Sequence, residues 1–171
     1  MIESVDQFNT VIRRAREEDA HGLLDCLLCA FEEYREDYTE EAFGNTVLTH
    51  ETLLRRFREM AVYLARSQDG TVAGTVSWSK VDSREGHLRG MAIRPAFQCR
   101  GLGRRLLQVV EQDMRAAGCS ISTLNTTAVL RRAMRFYEMN GYRRTGRTRE
   151  WFGMPIHEFS KDLAAAEGEG P

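Results

Sequence analysis

The sequence has no excess of either charge and no long apolar run. Its 24 lysines and arginines nearly balance 25 aspartates and glutamates, so no overall field attracts nucleic acid or an anionic membrane. No stretch approaches the roughly 20 apolar residues that a membrane-spanning helix needs. The first ten residues lack the basic start and apolar core of a secretory signal. We therefore expect a soluble cytoplasmic protein with neither nucleic acid nor membrane as a partner.

Proline and cysteine are also scarce, with 3 and 4 residues in a chain of 171. No internal repeat and no linker rich in proline, glycine or serine divides the chain, which predicts one domain over residues 1–163 and a frayed tail over 164–171. Cys26 and Cys29 have CxxC spacing, but they lie in an apolar helical stretch without a histidine cluster. We interpret them as core residues and expect neither a disulfide nor a metal site.

Hydrophobic periodicity predicts a mixed α/β fold. Strands are expected at 10–13, 62–66, 71–80, 87–93, 121–126, 142–148 and 156–162, and helices at 17–34, 49–60, 103–118 and 129–140. The charged stretch that begins at Glu36 is expected to lead into a loose region. Strand and helix alternate in the middle of the chain, with hairpins on either side, so the sheet should combine parallel and antiparallel pairing.

The strongest local signal is Gly101-Leu102-Gly103, which opens a helix after a strand and its loop. Glycine lets the backbone turn tightly and approach a ligand, and the unpaired N–H groups of a first helical turn point at one spot. Three arginines add positive charge there: Arg100, Arg104 and Arg105. A phosphate or pyrophosphate is the expected ligand. Without a ligand, the same residues are an ordinary strand-to-helix turn, and neither a P-loop nor a dinucleotide fingerprint is present.

The six residues Gln98–Gly103 resemble the signature [QR]xxGx[GA] of the GNAT family of N-acetyltransferases and match its every fixed position. Strand 88–93 looks like the family's fourth strand, and the element order agrees over residues 11–163. A second segment is similar to the family's A..(L/F)Y...GF pattern: Ala133, Phe136, Tyr137, Gly141 and Tyr142. The resemblance implies a mostly antiparallel sheet flanked by helices. Its central parallel strands, 88–93 and 121–126, would splay apart and hold acetyl-CoA as cosubstrate.

The resemblance also implies cofactor contacts. Main-chain groups of Met91 and Ile93 are expected to pair with the pantetheine arm as a substitute strand would. The pyrophosphate is expected at the N–H groups of the loop and first helical turn, that is, Gln98, Arg100, Gly101, Leu102, Gly103 and Arg104. Many relatives have an asparagine seven residues before the motif tyrosine, where this chain has Leu130. Asn125 on the neighbouring strand is the substitute cofactor contact.

Tyr137 occupies the position at which the family keeps a tyrosine near the cofactor sulfur. A phenol has an ordinary pKa of about 10 and is a hydrogen-bond donor, so it can protonate the CoA thiolate as that group leaves. The competing interpretation is that Tyr137 only packs against Phe136 on a buried helix face. The surrounding motif favours catalysis.

An ammonium group has no lone pair, so an amine acceptor must lose a proton before it attacks. The resemblance places His87 where some histone-acetylating members have a glutamate base, and imidazole serves this purpose near neutral pH. Glu85 lies two residues earlier on the same strand face, and would orient His87 or act in its place. The alternative is a solvent-facing pair at a strand end.

Two charged stretches bear on the acceptor. Acidic residues concentrate near the end of the first helix, where a cationic amine would be attracted or where they form a solvated surface: Glu32, Glu33, Glu36, Asp37, Glu40 and Glu41. A basic stretch over 131–149 would meet CoA phosphates or RNA, but too few aromatic side chains are interleaved for base stacking. Nucleic acid is therefore not the expected partner.

Together these features predict an N-acetyltransferase in which a primary amine of a small molecule or peptide attacks acetyl-CoA directly, with backbone amides polarising the carbonyl and no metal. One alternative is a non-catalytic acyl-CoA sensor on the same fold. Another is an interaction protein that uses the apolar stretch 151–156, which would equally serve as acceptor-pocket lining or as the contact of a homodimer.

Overall fold

The protein is described by a computed structural model that covers residues 9–164. The predicted tail over 164–171 therefore lies almost wholly outside the described residues, as do the first eight residues of the predicted domain. One twisted sheet with helices on both faces makes up the described part.

The sheet has seven strands in the order β1-β2-β3-β4-β5-β7-β6. Their bounds are β1 Val11–Arg14, β2 Ala61–Arg66, β3 Val72–Lys80, β4 Glu85–Ile93, β5 Ile121–Thr127, β6 Arg143–Trp151 and β7 Met154–Asp162. Neighbours pair antiparallel except β4 and β5, which are parallel. The prediction of a mixed, mostly antiparallel sheet with a central parallel pair is confirmed.

Five α-helices cover the sheet: α1 Ala20–Phe31, α2 Glu40–Thr46, α3 His50–Glu59, α4 Leu102–Ala116 and α5 Arg131–Met139. Alternate residues of β2 point to opposite faces, with Leu64 in a core shared with α1 and α3 and Ala65 in a core shared with α4 and α5. None of these helices, within residues 9–164, combines the length and apolarity needed to cross a bilayer.

Helix α2 was not predicted, because its sequence is dominated by charge and was expected to be loose. Thr39 caps the helix, since its Oγ1 accepts the Ala42 N–H at 3.2 Å. Ala42 and Phe43 are buried, so two apolar anchors and one cap suffice to form a helix of two turns.

The stretch 151–156, one candidate for an exposed interaction surface, is the tight hairpin between β6 and β7. Trp151 pairs with Met154 across the turn. Met154 and Ile156 are buried, whereas Phe152 keeps 41% of its surface exposed. Half of the stretch, namely Trp151, Met154 and Ile156, is therefore core or cavity wall and not a free surface.

The parallel strands β4 and β5 pair over only four residues. Glu85 to Leu88 lie opposite Ile121 to Leu124, and beyond that register the two strands have no further paired residues. The splayed pair that the resemblance implied is thus present, and a gap opens in the middle of the sheet.

A β-bulge in β4 accompanies this separation. Thr75 of β3 pairs with Ala92 and Ser77 with Arg89, so Gly90 and Met91 together face a single residue of β3. Gly90 has a φ of 64°, which favours glycine. Because a bulge adds one residue to one strand, it bends that strand and increases its twist.

Buried polar contacts fix α4 to the sheet. Glu111 is 2% exposed, and its carboxylate accepts hydrogen bonds from Lys161 Nζ at 2.8 and 3.0 Å and from Tyr142 Oη at 3.1 Å. A second contact joins α4 to β3, where Trp78 Nε1 donates to the Asp113 carboxylate at 2.8 Å. The three hydrogen bonds from Lys161 and Tyr142 compensate the Glu111 carboxylate for its lost hydration.

We expect Glu111→Gln to lower the free energy of unfolding by about 2–3 kcal/mol, because it leaves the half-buried Lys161 without its counter-charge. Urea denaturation measures the change. Glu138→Gln, the same chemical change at an exposed position of α5, is the control and should alter stability by less than about 0.5 kcal/mol. An equal effect of both variants would contradict the role given to Glu111.

Candidate active site

Two cavities open where β4 and β5 separate. The larger, which we call the long cavity, has a volume of about 1100 Å³ and extends from β4 along the start of α4 to α5. The smaller, the inner cavity, has a volume of about 330 Å³ and lies among β4, β5, the β6–β7 hairpin and the helices α1 to α3. Five residues line both: Phe31, Met91, Leu130, Ala133 and Tyr137. The cavities therefore meet at one wall.

The start of α4 borders the long cavity. Gly101 is left-handed, with a φ of 78°, and no side chain caps the helix there. The first helical bond runs from the Arg105 N–H to the Gly101 carbonyl at 3.1 Å, so the N–H groups of Leu102, Gly103 and Arg104 precede the intrahelical ladder. Unpaired N–H groups at the positive end of a helix dipole are the arrangement that suits an anion.

Gly103 allows a close approach of three elements at this point. A Cβ there would lie 3.3 Å from two ring carbons of Phe136 and 3.5 Å from the Met91 methyl group. The first turn of α4 therefore packs against α5 and β4 at a distance that a larger residue would increase.

Most of the predicted cofactor residues line the long cavity: Met91, Ile93, Gln98, Gly101, Leu102, Gly103 and Arg104. Arg100 is exposed and is not part of that lining. Asn125, expected beside the cofactor, lines the inner cavity instead. Its strand places it next to His87, because β5 continues past its last pairing with β4.

Gln98 differs from its expected role as a phosphate donor. Its main-chain N–H donates to the Pro95 carbonyl at 3.2 Å, and its side-chain Nε2 donates to the Ile93 carbonyl at 3.0 Å. Through these two hydrogen bonds, Gln98 stabilises the loop between β4 and α4.

The main chain of Ile93 points in the direction that pairing with a pantetheine arm, in place of a neighbouring strand, requires. The Arg94 N–H donates to the Ala73 carbonyl at 2.9 Å, and Ile93 lies opposite Gly74. Main-chain groups alternate in direction along an antiparallel pair, so those of Ile93 point away from β3 and toward the gap. Its carbonyl is occupied by Gln98, which leaves the N–H as the group directed at a ligand.

Tyr137 lies at the wall between the two cavities. It is 7% exposed, and its ring packs edge-on against Phe136 and Tyr142, with centroids 5.4 and 5.8 Å away. Burial raises the pKa of its phenol, so the hydroxyl keeps its proton at neutral pH. The two interpretations of this residue are therefore compatible, because a packed ring presents a protonated hydroxyl at the wall.

His87 is the inner end of a hydrogen-bonded chain. The Thr123 hydroxyl donates to the Glu85 carboxylate at 2.6 Å, and Thr123 Oγ1 lies 2.8 Å from His87 Nδ1. A hydroxyl has one proton to donate, so Thr123 accepts from Nδ1–H. The unprotonated nitrogen of the neutral ring is then Nε2, which lies 3.4 Å from the Asn125 amide nitrogen.

The surroundings of His87 favour the neutral ring. Burial lowers its pKa below the ordinary value. The carboxylates of Glu85 and Glu158 oppose this effect, and the guanidinium groups of Arg89 and Arg149 add to it. His87 lines the inner cavity, whereas Glu85 does not, so Glu85 contacts the site only through Thr123.

The comparisons with known proteins agree with this geometry. Residues 10–142 match the profile of the acetyltransferase (GNAT) family, over more than half of the chain. The chain belongs to the GNAT family of acetyltransferases. This confirms the resemblance and the class, an acyl-CoA-dependent N-acetyltransferase for which acetyl-CoA is the cosubstrate. The search of curated protein sequences found no match.

Solved structures with the same fold as this GNAT chain include the PaiA N-acetyltransferase of Thermoplasma acidophilum in complex with coenzyme A, with a TM-score of 0.77, 19% identity, and 90% and 99% coverage of this chain and that one. A GNAT acetyltransferase of Staphylococcus aureus has a TM-score of 0.75, 16% identity, and coverage of 90% and 99%. The protein yncA of Salmonella typhimurium, solved with its cofactor acetyl-CoA, has a TM-score of 0.68, 18% identity, and coverage of 95% and 98%.

Sequence reasoning missed two polar residues of this GNAT site. Thr123 follows from the strand register, because it lies directly opposite His87 in the parallel pair, but no periodicity reveals that register. Arg56 lines the inner cavity from α3, and in sequence it is one of three arginines within four residues. The acidic stretch singled out near the end of α1 is exposed, and none of its six carboxylates lines either cavity.

A matched pair of variants tests the anion site at α4. Gly101→Asp and Gly101→Asn place side chains of the same shape at a left-handed position that both residues tolerate, but only aspartate brings a negative charge. We expect Gly101→Asp to weaken binding of coenzyme A by about 100-fold or more and Gly101→Asn by about 10-fold or less, since the charge opposes the pyrophosphate.

Isothermal titration calorimetry with coenzyme A measures both constants, and circular dichroism verifies that each variant is folded. Equal binding by the two variants would show that no phosphate lies at this helix start.

Proposed function

We propose that the protein transfers the acetyl group of acetyl-CoA directly to a primary amine that is bound in the inner cavity. The observation that supports this most is the position of Tyr137 and His87. Tyr137 is at the wall that the two cavities share, and His87 lines the inner one. A thioester in the long cavity and an amine in the inner cavity meet at that wall.

The long cavity suits a coenzyme A moiety. Its volume of about 1100 Å³ and its mainly apolar walls suit a pantetheine arm, and the first turn of α4 offers unpaired N–H groups to the pyrophosphate. Basic side chains that line the same cavity add positive charge: Arg104, Arg132, Arg135 and Lys161.

His87 takes the proton from the amine. Nε2 is its unprotonated nitrogen, and the amine takes the place of the long 3.4 Å contact that Nε2 makes with the Asn125 amide, whereas Nδ1–H is held by Thr123. Glu85 is a positioning residue, because its carboxylate fixes the Thr123 proton and thereby the tautomer of His87. As the ring becomes cationic, the Glu85 charge stabilises it through the same chain.

Bond formation and cleavage then balance as follows. The amine nitrogen forms a C–N bond with the acetyl carbon, and the C–S bond breaks. His87 Nε2 takes one proton from the ammonium group before the attack. The Tyr137 hydroxyl gives its proton to the departing thiolate, and the second proton, which the nitrogen loses as the amide forms, restores that hydroxyl. We assign stabilisation of the carbonyl oxygen, while it carries negative charge, to main-chain N–H groups of the part of β4 that does not pair with β5.

The acyl-CoA sensor without turnover remains the rival function. A sensor needs neither a protonated phenol at the wall that the two cavities share nor a base with a defined tautomer. The hydrogen-bonded chain from Glu85 to His87 therefore supports catalysis, and detection of acetyl-CoA binding without thiol release from any amine would support the sensor.

We expect Tyr137→Phe to lower kcat by about 100-fold, because the thiolate would leave without its acid, and to change the KM for acetyl-CoA little. Release of free thiol, followed with a chromogenic disulfide, measures the rate. Tyr142→Phe is the control, since it removes the hydroxyl of a neighbouring buried tyrosine that bonds Glu111 and Ser122 away from the cavities. A Tyr137→Phe enzyme with unchanged kcat would assign Tyr137 to packing alone.

The pH dependence tests His87. A base is active when neutral, and the His87 pKa lies below its ordinary value of about 6.5. In the wild type, kcat at saturating substrates should therefore be constant from about pH 7 upward and fall as pH drops through that lower pKa.

His87→Gln should lower kcat by about 100-fold and remove the acidic limb of the profile. His157→Gln, at a half-buried histidine of β7 outside both cavities, should retain the limb. If the limb persisted in His87→Gln, another group would be the base.

A further inference from the structure

The inner cavity is cationic. Three guanidinium groups and one imidazole line it, from Arg56, Arg89, Arg149 and His87, and no aspartate or glutamate among residues 9–164 does. This differs from the expectation that acidic residues attract a cationic acceptor. The site that receives the amine therefore also presents positive charge to its ligand.

Arg56 is the most buried of these groups, with 7% of its surface exposed. Within residues 9–164 no hydrogen bond or ion pair joins its guanidinium to another residue, unlike the buried Glu111, which accepts three hydrogen bonds. Burial and the nearby Arg89 charge lower the pKa of Arg56 to about 10. Since a buried charge without a partner is costly, this side chain is arranged for a ligand that supplies the opposite charge.

The backbone makes room for this side chain. A Cβ on Gly90, the left-handed residue of the β4 bulge, would overlap the Nη1 atom of Arg56. Glycine at this position lets the guanidinium lie against the strand at the edge of the gap. Thr126, which also lines the inner cavity, has a buried hydroxyl without a hydrogen-bond partner in the described structure. Two polar groups in one cavity thus lack partners.

We propose that Arg56 binds a carboxylate of the acceptor, so that the substrate is an amino acid or a similarly small amino carboxylate. This rests on the proposed acetyl transfer to an amine in the same cavity. A guanidinium donates two parallel hydrogen bonds to a carboxylate, and the Thr126 hydroxyl is a further donor. His87 on β4 serves the amine end of the same molecule.

The size and walls of the inner cavity define the substrate further. A volume of about 330 Å³ is at the lower end for small-molecule pockets. It suits a single amino acid and not a polypeptide segment of several residues. Aromatic and aliphatic side chains form much of its lining: Phe31, Tyr38, Leu88, Leu124, Trp151 and Ile156. The part of the substrate between the amine and the carboxylate, or its side chain, is therefore apolar.

Matched pairs of substrates distinguish the contribution of the carboxylate to recognition from that of the rest of the molecule. Apolar and aromatic L-amino acids are each compared with the corresponding amino acid amide, which has the same amine and shape without the negative charge, and with the corresponding aminophosphonate. Thiol release with acetyl-CoA gives kcat/KM for every compound. We expect the wild type to prefer acids over amides by about 10- to 100-fold, and a preference for aminophosphonates would identify the anion as a phosphonate or phosphate instead.

Arg56→Met tests the assignment to this residue. It should lower kcat/KM for the acids by about 10- to 100-fold and leave the amides nearly unchanged, so that the variant no longer distinguishes the two. Arg56→Lys should retain part of the preference, because the charge remains without the planar fork. Arg55→Met, an exposed neighbour on α3, is the matched control and should behave as the wild type.

The outcomes separate this proposal from the proposed function. Turnover of amides or other neutral amines at rates equal to those of the acids would overturn the role of Arg56 while acetyl transfer stood. If no amine releases thiol, binding of the same acids to the coenzyme A-loaded protein is measured by saturation-transfer NMR. Binding that Arg56→Met abolishes would support the carboxylate site, and absence of binding to the wild type would overturn it.

Discussion

The interruption of pairing between β4 and β5 is the constraint on which the rest of the structure depends. Two parallel strands that begin in register at Glu85 and Ile121 lose contact after four residues, and the bulge at Gly90 lies on the side where they part. A sheet that closed fully would have neither cavity and would turn the Ile93 main chain toward a neighbouring strand. Because β4 instead ends beside the start of α4, its open side and the uncapped helix face the same space.

Burial of charge divides the polar interior into two kinds of group. Glu111 is surrounded by donors from β7 and from the segment after α5, and it fixes α4 whether or not a ligand is present. Arg56 is buried to a similar degree, and no such partner is found for it in the described part of the chain. The same desolvation cost that makes the first a structural group makes the second a candidate for recognition. Tyr137 belongs between these cases, because its ring is packed in the core and the residue also lines both cavities.

The sequence was sufficient for the elements that local patterns determine. The glycine turn at 101–103, the helix after it and the alternation of the strands follow from backbone chemistry and periodicity, and the family motif supplied the parallel pair. It was not sufficient where function depends on strand register or on which face of a short helix turns inward. Thr123 meets His87 only because of the β4–β5 register, and Arg56 is indistinguishable in sequence from the exposed Arg55 beside it. The acidic residues near the end of α1 were expected to attract the acceptor because they cluster in the sequence. Clustering in sequence does not place carboxylates in a cavity, and these lie on the exposed surface.

The meeting of two cavities at a single wall has a consequence for the order of events. Among the residues that the structure describes, each cavity is bounded mainly by residues of its own, and five side chains belong to both. For the proposed direct transfer, this means that neither occupant has to leave before the other arrives, and that no acetylated side chain is needed to store the group between half-reactions. Such a shape suits sequential kinetics, with intersecting double-reciprocal lines.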